Sequence, residues 1–261
     1  MNTANAQTIH RVMHEIKRRK LEVLRVVELT PRMRRITVGG PELAGFISLG
    51  SDDHVKLFFP QNAEEQAMLD TLELSAGLKN QAMPPMRDYT PRRYDLNTLE
   101  LDIDFVLHGD GPAATWAAQA KPGQYLHIGG PRGSMVVPDI FDSYLLIGDE
   151  TAIPAIARRL EELPANRRVQ VVVEVQDASE EQALCSAATV DVTWVQRNAP
   201  ARTLLETVEQ LSLSEGTLYA WVATESALSR KVRKVLLDRH GLNEAFVKAV
   251  GYWRLDDSAE A

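Results

Sequence analysis

The spacing of apolar residues changes once along this chain, near residue 140, and that change divides the fold into two differently built halves. Upstream, short runs dominate: KLEVLRVVEL, MRRITVGG, DDHVKLFFP, RDYTPRRYD, LELDIDFVLHG and QYLHIGGP. In the fifth run Leu99, Leu101, Ile103 and Phe105 alternate with acidic residues, the period of a strand with one buried face. Glycine and proline punctuate the runs, so a six-stranded antiparallel Greek-key barrel is expected over residues 19–138. Downstream, YLLIG, RVQVVVEV, VDVTWV, TLYAWVA and AFVKAV alternate with TAIPAIARRLEEL, SEEQALCSAA, RTLLETVEQL and ESALSRKVRKVLLDRH, which are helical in character. Such alternation calls for parallel strands covered on both faces, here a five-stranded parallel α/β domain over residues 139–254. The boundary falls near VVPDIFDS, and residues 1–18 and 255–261 read as tails.

Smaller features refine this plan. GPAATWAAQAKPG reads as a short helix, with Pro112 near its start and Pro122-Gly123 at its end. Residues 61–86, acidic and then Met/Pro-rich, read as a long loop with some helix. The single cysteine, Cys185, excludes an internal disulfide and a cysteine-bound iron–sulfur cluster; it is expected to be buried on the SEEQALCSAA helix. The N-terminal stretch has no apolar h-region and no window holds 18 uninterrupted apolar residues, so neither a secretory signal nor a membrane span is expected, and the cytoplasm follows. A net charge of −7 argues against a nucleic-acid partner while allowing a local basic pocket. His10 and His14 have helical i,i+4 spacing but no third ligand, so no metal site is expected. No Ser/His/Asp order stands out.

Four stretches could carry chemistry. In YLLIGDETAIPAIARRL a strand ends at Gly148 and a helix starts near Thr151, where free backbone N–H groups meet phosphate in doubly wound sheets. The same Asp149, Glu150 and Thr151 would also serve as plain N-caps. In MRDYTPRRYD, Arg87 and Tyr89 share one face of an extended segment and Thr90 takes the other. An arginine fork suits phosphate and a tyrosine ring a flat heterocycle; the alternative is a surface strand with a core tyrosine. HGDGPA, residues 108–113, is a second strand–loop–helix start, whose glycines allow close backbone approach. GYWR, residues 251–254, follows the last strand, where its aromatics either cap the core or face a bound ring.

Together, DDHVKLFFP, RDYTPRRYD, DFVLHGDGPAATWAAQAKPGQYLHIGGPRGS, GDETAIPAI and GYWR resemble the siderophore-interacting protein family, a branch of the ferredoxin-reductase-like flavoproteins. The resemblance spans about residues 19–254 and is closest to the short-tailed, NADPH-dependent ferric-chelate reductases. It implies FAD held by Arg87 at the pyrophosphate, Tyr89 at the isoalloxazine and Thr90 near flavin N5. Asp104, Val106, His108, Gly111, Pro112 and Ala113 would line the rest of the FAD, with Trp116 supporting that loop. Gly148, Asp149, Glu150, Thr151 and Ala152 would border the nicotinamide nucleotide. Trp253 would be the aromatic facing the bound ring, and Lys56, Arg132 and Arg254 would draw in an anionic ferric chelate.

Two features depart from the family pattern. Thr224 stands where glycine is common, and Glu174 with Asp177 suits a ribose hydroxyl, hence NADH, while the short tail points to NADPH. The implied activity is FAD-dependent reduction of a ferric siderophore by a monomer, releasing Fe(II). The alternatives are a flavin reductase working with ferredoxin, flavodoxin or a quinone, and a non-catalytic siderophore-binding protein.

Overall fold

The structure, a computed structural model, describes residues 8–72, 83–199 and 201–255. It divides into two compact units, Met1–Pro138 and Asp139–Ala261.

The first unit contains strands β1 (His10–Met13), β2 (Arg18–Thr30), β3 (Met33–Gly39), β4 (Val55–Phe58), β5 (Met86–Tyr89), β6 (Arg93–Asp95), β7 (Glu100–Val106), β8 (Tyr125–Gly129) and β9 (Gly133–Val136), with helices α1 (Ala63–Thr71) and α2 (Pro112–Gln119). Seven of the strands form one antiparallel sheet in the order β5-β4-β8-β2-β3-β7-β6. The two end strands, β5 and β6, are joined by only Thr90, Pro91 and Arg92. Four residue steps reach at most about 14 Å, so the sheet edges must meet and the sheet curls into a barrel. RDYTPRRYD is therefore the seam of the barrel rather than one strand, which raises the expected six strands to seven. Leu21, Ile36, Val38, Leu57, Leu101, Ile103, Phe105 and Ile128 fill the interior.

β1 and β9 form a separate two-stranded ribbon, although residues 10–13 were expected in a tail. The ribbon is fastened by a buried polar chain. His14 Nε2 lies 2.7 Å from Ser134 Oγ, which donates to Asp53 at 2.5 Å. The serine bonds the aspartate directly and is itself buried, so this is a structural tie rather than a nucleophile. α1 supplies the helical part of the expected 61–86 loop, capped by Asn62 accepting from the Glu65 N–H; residues 73–82 of that loop lie outside the described residues.

The second unit contains β10 (Ser143–Asp149), β11 (Arg168–Val175), β12 (Thr189–Gln196), β13 (Leu218–Glu225) and β14 (Val247–Trp253), with α3 (Ile153–Glu162), α4 (Leu204–Glu209) and α5 (Ser226–Asp238). All five strands are parallel, in the order β12-β11-β10-β13-β14. Leu145 and Ile147 point to the face covered by α4 and α5. The alternate residues Tyr144 and Gly148 meet α3 on the other face, through Arg159 and Ile156.

Two expectations need correction. SEEQALCSAA is not a helix: a 3-10 turn at Ala178–Glu180 opens the stretch, residues 181–188 alternate in exposure like extended chain, and Cys185 is exposed. Leu184 is the segment's only large apolar residue, so a helix there would have no face to bury, and Ser186 instead donates to the Leu160 carbonyl. The last strand does not stop before GYWR; it runs to Trp253 past a bulge at Thr224/Glu225.

Candidate functional site

On the barrel unit the candidate site lies at the seam. β5 pairs with β4, setting Arg87 opposite Leu57 and Tyr89 opposite Val55. Cross-strand partners share a face, so the motif's arginine and tyrosine follow the inward-facing residues to the rim of the barrel. The Tyr89 ring stacks at 4.5 Å on Phe105 of β7, and Phe105 stands 5.7 Å from Trp116 of α2. Three aromatic rings thus bring the seam and the start of α2 to one end of the barrel. Burial pushes the Tyr89 phenol well above its ordinary pKa, against the pull of Arg87, so it acts as a neutral hydroxyl. Thr90 is buried to 7% exposure beside it. The Arg87 guanidinium is exposed, donates to its neighbour's Met86 carbonyl at 2.8 Å, and has no carboxylate partner among the described residues.

Beyond β7 the chain turns through residues 107–111. Gly109 has φ +55°, a conformation that favours glycine, and a Cβ at Gly109 or Gly111 would meet nothing within 4 Å. Pro112 opens α2, and no side chain caps it at Gly111. The first N–H groups of the helix, including that of Ala113, therefore have no intrahelical or capping partner. An arginine without a counter-ion, an uncapped helix start and an open glycine loop are chemically suited to a pyrophosphate. Val106 is half-buried and His108 exposed at this loop. Asp104 is engaged differently. Its buried carboxylate accepts two hydrogen bonds from Arg35, at 2.6 and 2.8 Å across β3 and β7, which leaves the main chain nearby as the ligand-facing feature.

The basic residues are spread along the same edge. Lys56 lies opposite Gly129 on β8, three residues before Arg132. Lys56 is ion-paired with Asp88 at 2.7 Å, both about half exposed. Arg132 is exposed without an ion pair among the described residues.

On the α/β unit, the carboxyl end of the sheet gathers the second group. Gly148 is glycine for packing: a Cβ there would lie 2.3 Å from the Ala152 Cβ and 3.1 Å from the Ala223 carbonyl. Asp149 caps the turn that leads into α3, accepting from the Thr151 N–H at 2.9 Å and its hydroxyl at 2.5 Å. Its other oxygen accepts the Trp253 indole N–H at 2.8 Å. Burial raises the Asp149 pKa, and the Thr151 and Trp253 donors oppose the shift. The capping alternative raised above thus describes this residue, while the Trp253 side chain is held by that bond in a residue 39% exposed. Ala152 is fully buried beneath. Glu150 is buried and paired with Arg197 through two bonds of 2.6 Å. Arg254 follows Trp253, exposed.

Sequence reading missed Arg197. It sits just past β12, its N–H bonded to the Val175 carbonyl, and its Nε donates to Glu174 at 2.8 Å. Its place after a strand of a parallel sheet was the available signal. Glu174 is therefore not free, and Asp177 is occupied in capping the turn at Ser179. Thr224 is fully buried, its hydroxyl donating to the Glu225 carbonyl, so it opens toward no ligand.

An antiparallel barrel with an anion-suited seam, followed by a parallel sheet with a helix start at its central strand, defines a ferredoxin-reductase-like flavoprotein. Residues 22–135 match the family described as siderophore-interacting FAD-binding domain, and residues 141–256 match siderophore-interacting protein. The chain belongs to the siderophore-interacting protein family. It is 34% identical over 246 residues to the NADPH-dependent ferric-chelate reductase of Escherichia coli (strain K12), covering 93% of this chain and 95% of that one. It is 31% identical over 248 residues to the ferric vibriobactin reductase ViuB of Vibrio cholerae, covering 93% and 92%. A crystal structure of a siderophore utilization protein from T. fusca is 40% identical with a TM-score of 0.83, over 95% of this chain and 100% of that one.

Proposed function

We propose that this chain is an FAD-dependent ferric-siderophore reductase that takes its electrons from NADPH and releases iron as Fe(II). The observation that carries the reading is the barrel seam, where Arg87 has no counter-ion among the described residues and the uncapped start of α2 stands beside an open glycine loop. These groups would hold the FAD pyrophosphate, with the Tyr89 ring and Thr90 against the isoalloxazine. Bound FAD would supply the one chemistry that side chains cannot: accepting the hydride's electron pair and passing it on singly. One NADPH then reduces two Fe(III) to two Fe(II), yielding NADP⁺ and a proton. Ferrous iron carries less charge and leaves hard oxygen donors, so the chelator is not consumed.

The protein's own residues position and attract. On the α/β unit the start of α3, beside Trp253, would meet the nucleotide phosphates, and on the barrel unit Lys56 and Arg132 would draw in an anionic chelate despite the overall −7 charge. No acid–base pair is required, which agrees with Asp104, Asp149 and Glu150 all being engaged by protein partners. The non-catalytic alternative leaned on Thr224, whose buried side chain gives it no support. Because NADPH is an intracellular reductant, we put the reaction in the cytoplasm, and we take the monomer as the working unit.

The test is anaerobic. Purified protein should be yellow, bleach with NADPH and regain colour with a ferric siderophore while a ferrous trap reports Fe(II). Protein that binds no flavin, or a reduced flavin that ferric chelates leave untouched while a quinone reoxidises it, would overturn the proposal.

A further inference from the structure

We infer that Glu174 and Arg197, with Glu150 as anchor, decide which nicotinamide dinucleotide the α/β unit accepts. This deepens the reductase reading and rests on it for the identity of the ligand. The three residues stand at the carboxyl ends of neighbouring strands. Glu150 follows β10, Glu174 ends β11 one residue early, and Arg197 follows β12. In the sheet register Asp149 lies beside Glu174, and Glu174 beside Val195.

In a doubly wound sheet this is where the adenosine ribose is read. A carboxylate after the second strand accepts from the ribose hydroxyls, and an arginine nearby accommodates a 2′-phosphate. Here both residue types are present and bound to each other, so neither nucleotide finds its usual partner free.

The bonds are unequal. Glu150, with its side chain only 10% exposed, holds Arg197 through both Nη atoms at 2.6 Å; removing either partner would strand a buried charge. Glu174, at 17% exposure, holds only Nε, through a single bond of 2.8 Å. Arg197 itself is 32% exposed. Arg197 can therefore release Glu174 while staying on Glu150.

A ribose diol donates to Glu174 without disturbing this arrangement. A 2′-phosphate must take Nε from Glu174 and then sit against the displaced carboxylate. Glu174 is thus the residue that penalises NADPH, and Arg197 the residue that admits it. Asp177 takes no part, since Ser179 occupies it.

The test compares two adenosine fragments by calorimetry on the flavin-loaded protein: 2′,5′-ADP and 5′-AMP, which differ only in the 2′-phosphate. Glu174→Gln should tighten 2′,5′-ADP about tenfold relative to 5′-AMP, because a charge opposing the phosphate is gone while Nε keeps an acceptor. The KM ratio of NADPH to NADH should fall by a similar factor with kcat unchanged. Arg197→Ala alone strands Glu150, so the second variant is the pair Arg197→Ala and Glu150→Gln, which should lose its selectivity for 2′,5′-ADP and still bind 5′-AMP. A fragment ratio that stays within twofold of the parent in Glu174→Gln, or a double variant that keeps the parent's selectivity, overturns the inference. Fragment selectivity that shifts as described, in a protein whose flavin neither nucleotide bleaches, would instead refute the reductase reading and leave this one standing.

Discussion

His127 gives the barrel unit an acid limit that can be calculated. Its ring is buried on β8 at 2% exposure. Arg18 reaches Nδ1 at 3.2 Å, and an arginine can only donate, so Nδ1 is an acceptor and the proton of the neutral ring sits on Nε2, where the nearby acceptor is Asp70 Oδ1 at 3.4 Å. Burial, then the Arg18 charge, lower the His127 pKa from 6.5 to about 4, with Lys20 adding to the effect and Asp70 and Glu42 opposing it. The neutral ring is favoured in the fold, so its contribution is complete above about pH 6.5 and is lost as the pH falls toward 4. The full contribution is about 3 kcal/mol, of which roughly 2.5 kcal/mol is gone by pH 4.5. Hydrogen exchange across β8, corrected for intrinsic rates, should show wild type losing about that much more protection than His127→Gln between pH 7 and pH 4.5. The glutamine can still accept from Arg18 but does not titrate, so parallel losses in the two proteins would refute the argument. The consequence reaches the site, because β8 runs directly into Gly129, opposite Lys56, and on to Arg132.

Other expected outcomes are simpler. Arg87→Ala should weaken FAD binding by about 2 kcal/mol, roughly thirtyfold, in a flavin titration of the apoprotein, since among the described residues the guanidinium has no carboxylate to leave behind; an unchanged Kd removes Arg87 from the site. Lys56→Ala should raise the KM for an anionic ferric chelate without altering flavin content, whereas Asp88→Asn should lower it by freeing the lysine, and equal KM values in both would exclude this edge. Gly148→Ala should destabilise the α/β unit by about 1–3 kcal/mol, read as a lower urea midpoint, because its new Cβ meets Ala152 and the Ala223 carbonyl.

The architecture was legible because period is a backbone property. Alternation in LELDIDFVLHG and the strand–helix rhythm after residue 140 need no knowledge of partners. What escaped depends on contacts between distant residues. β1 exists only because β9 stands 120 residues away to pair with it. SEEQALCSAA has helix-forming residues but no apolar stripe, and propensity without a face to bury did not prevail. In the candidate site, Arg87, Tyr89 and Thr90 came from the family resemblance, since their spacing alone also fitted a surface strand with a core tyrosine, while the partners of Asp104 and Glu150 were not legible, because Arg35 lies on another strand and Arg197 just past one.

Those partners divide labour between side chain and main chain. A carboxylate buried in a loop that binds anions would repel the ligand and carry an uncompensated charge, unless a protein donor neutralises it. Asp104, Asp149 and Glu150 each have such a donor: Arg35, the Thr151 and Trp253 N–H groups, and Arg197. Their charge shapes the loops, and the groups left facing outward are backbone N–H donors, an arginine and aromatic rings. That set is chemically suited to phosphates and flat heterocycles and offers no proton chemistry, as the proposed relay of electrons would require. It also predicts where such a site tolerates change. Glu150→Gln should cost more stability than Arg87→Ala, because the first leaves Arg197 half-satisfied inside the fold and the second leaves nothing behind. A chemical denaturation series in which Arg87→Ala proved the more damaging would show that the seam arginine is structural and that the division drawn here is wrong.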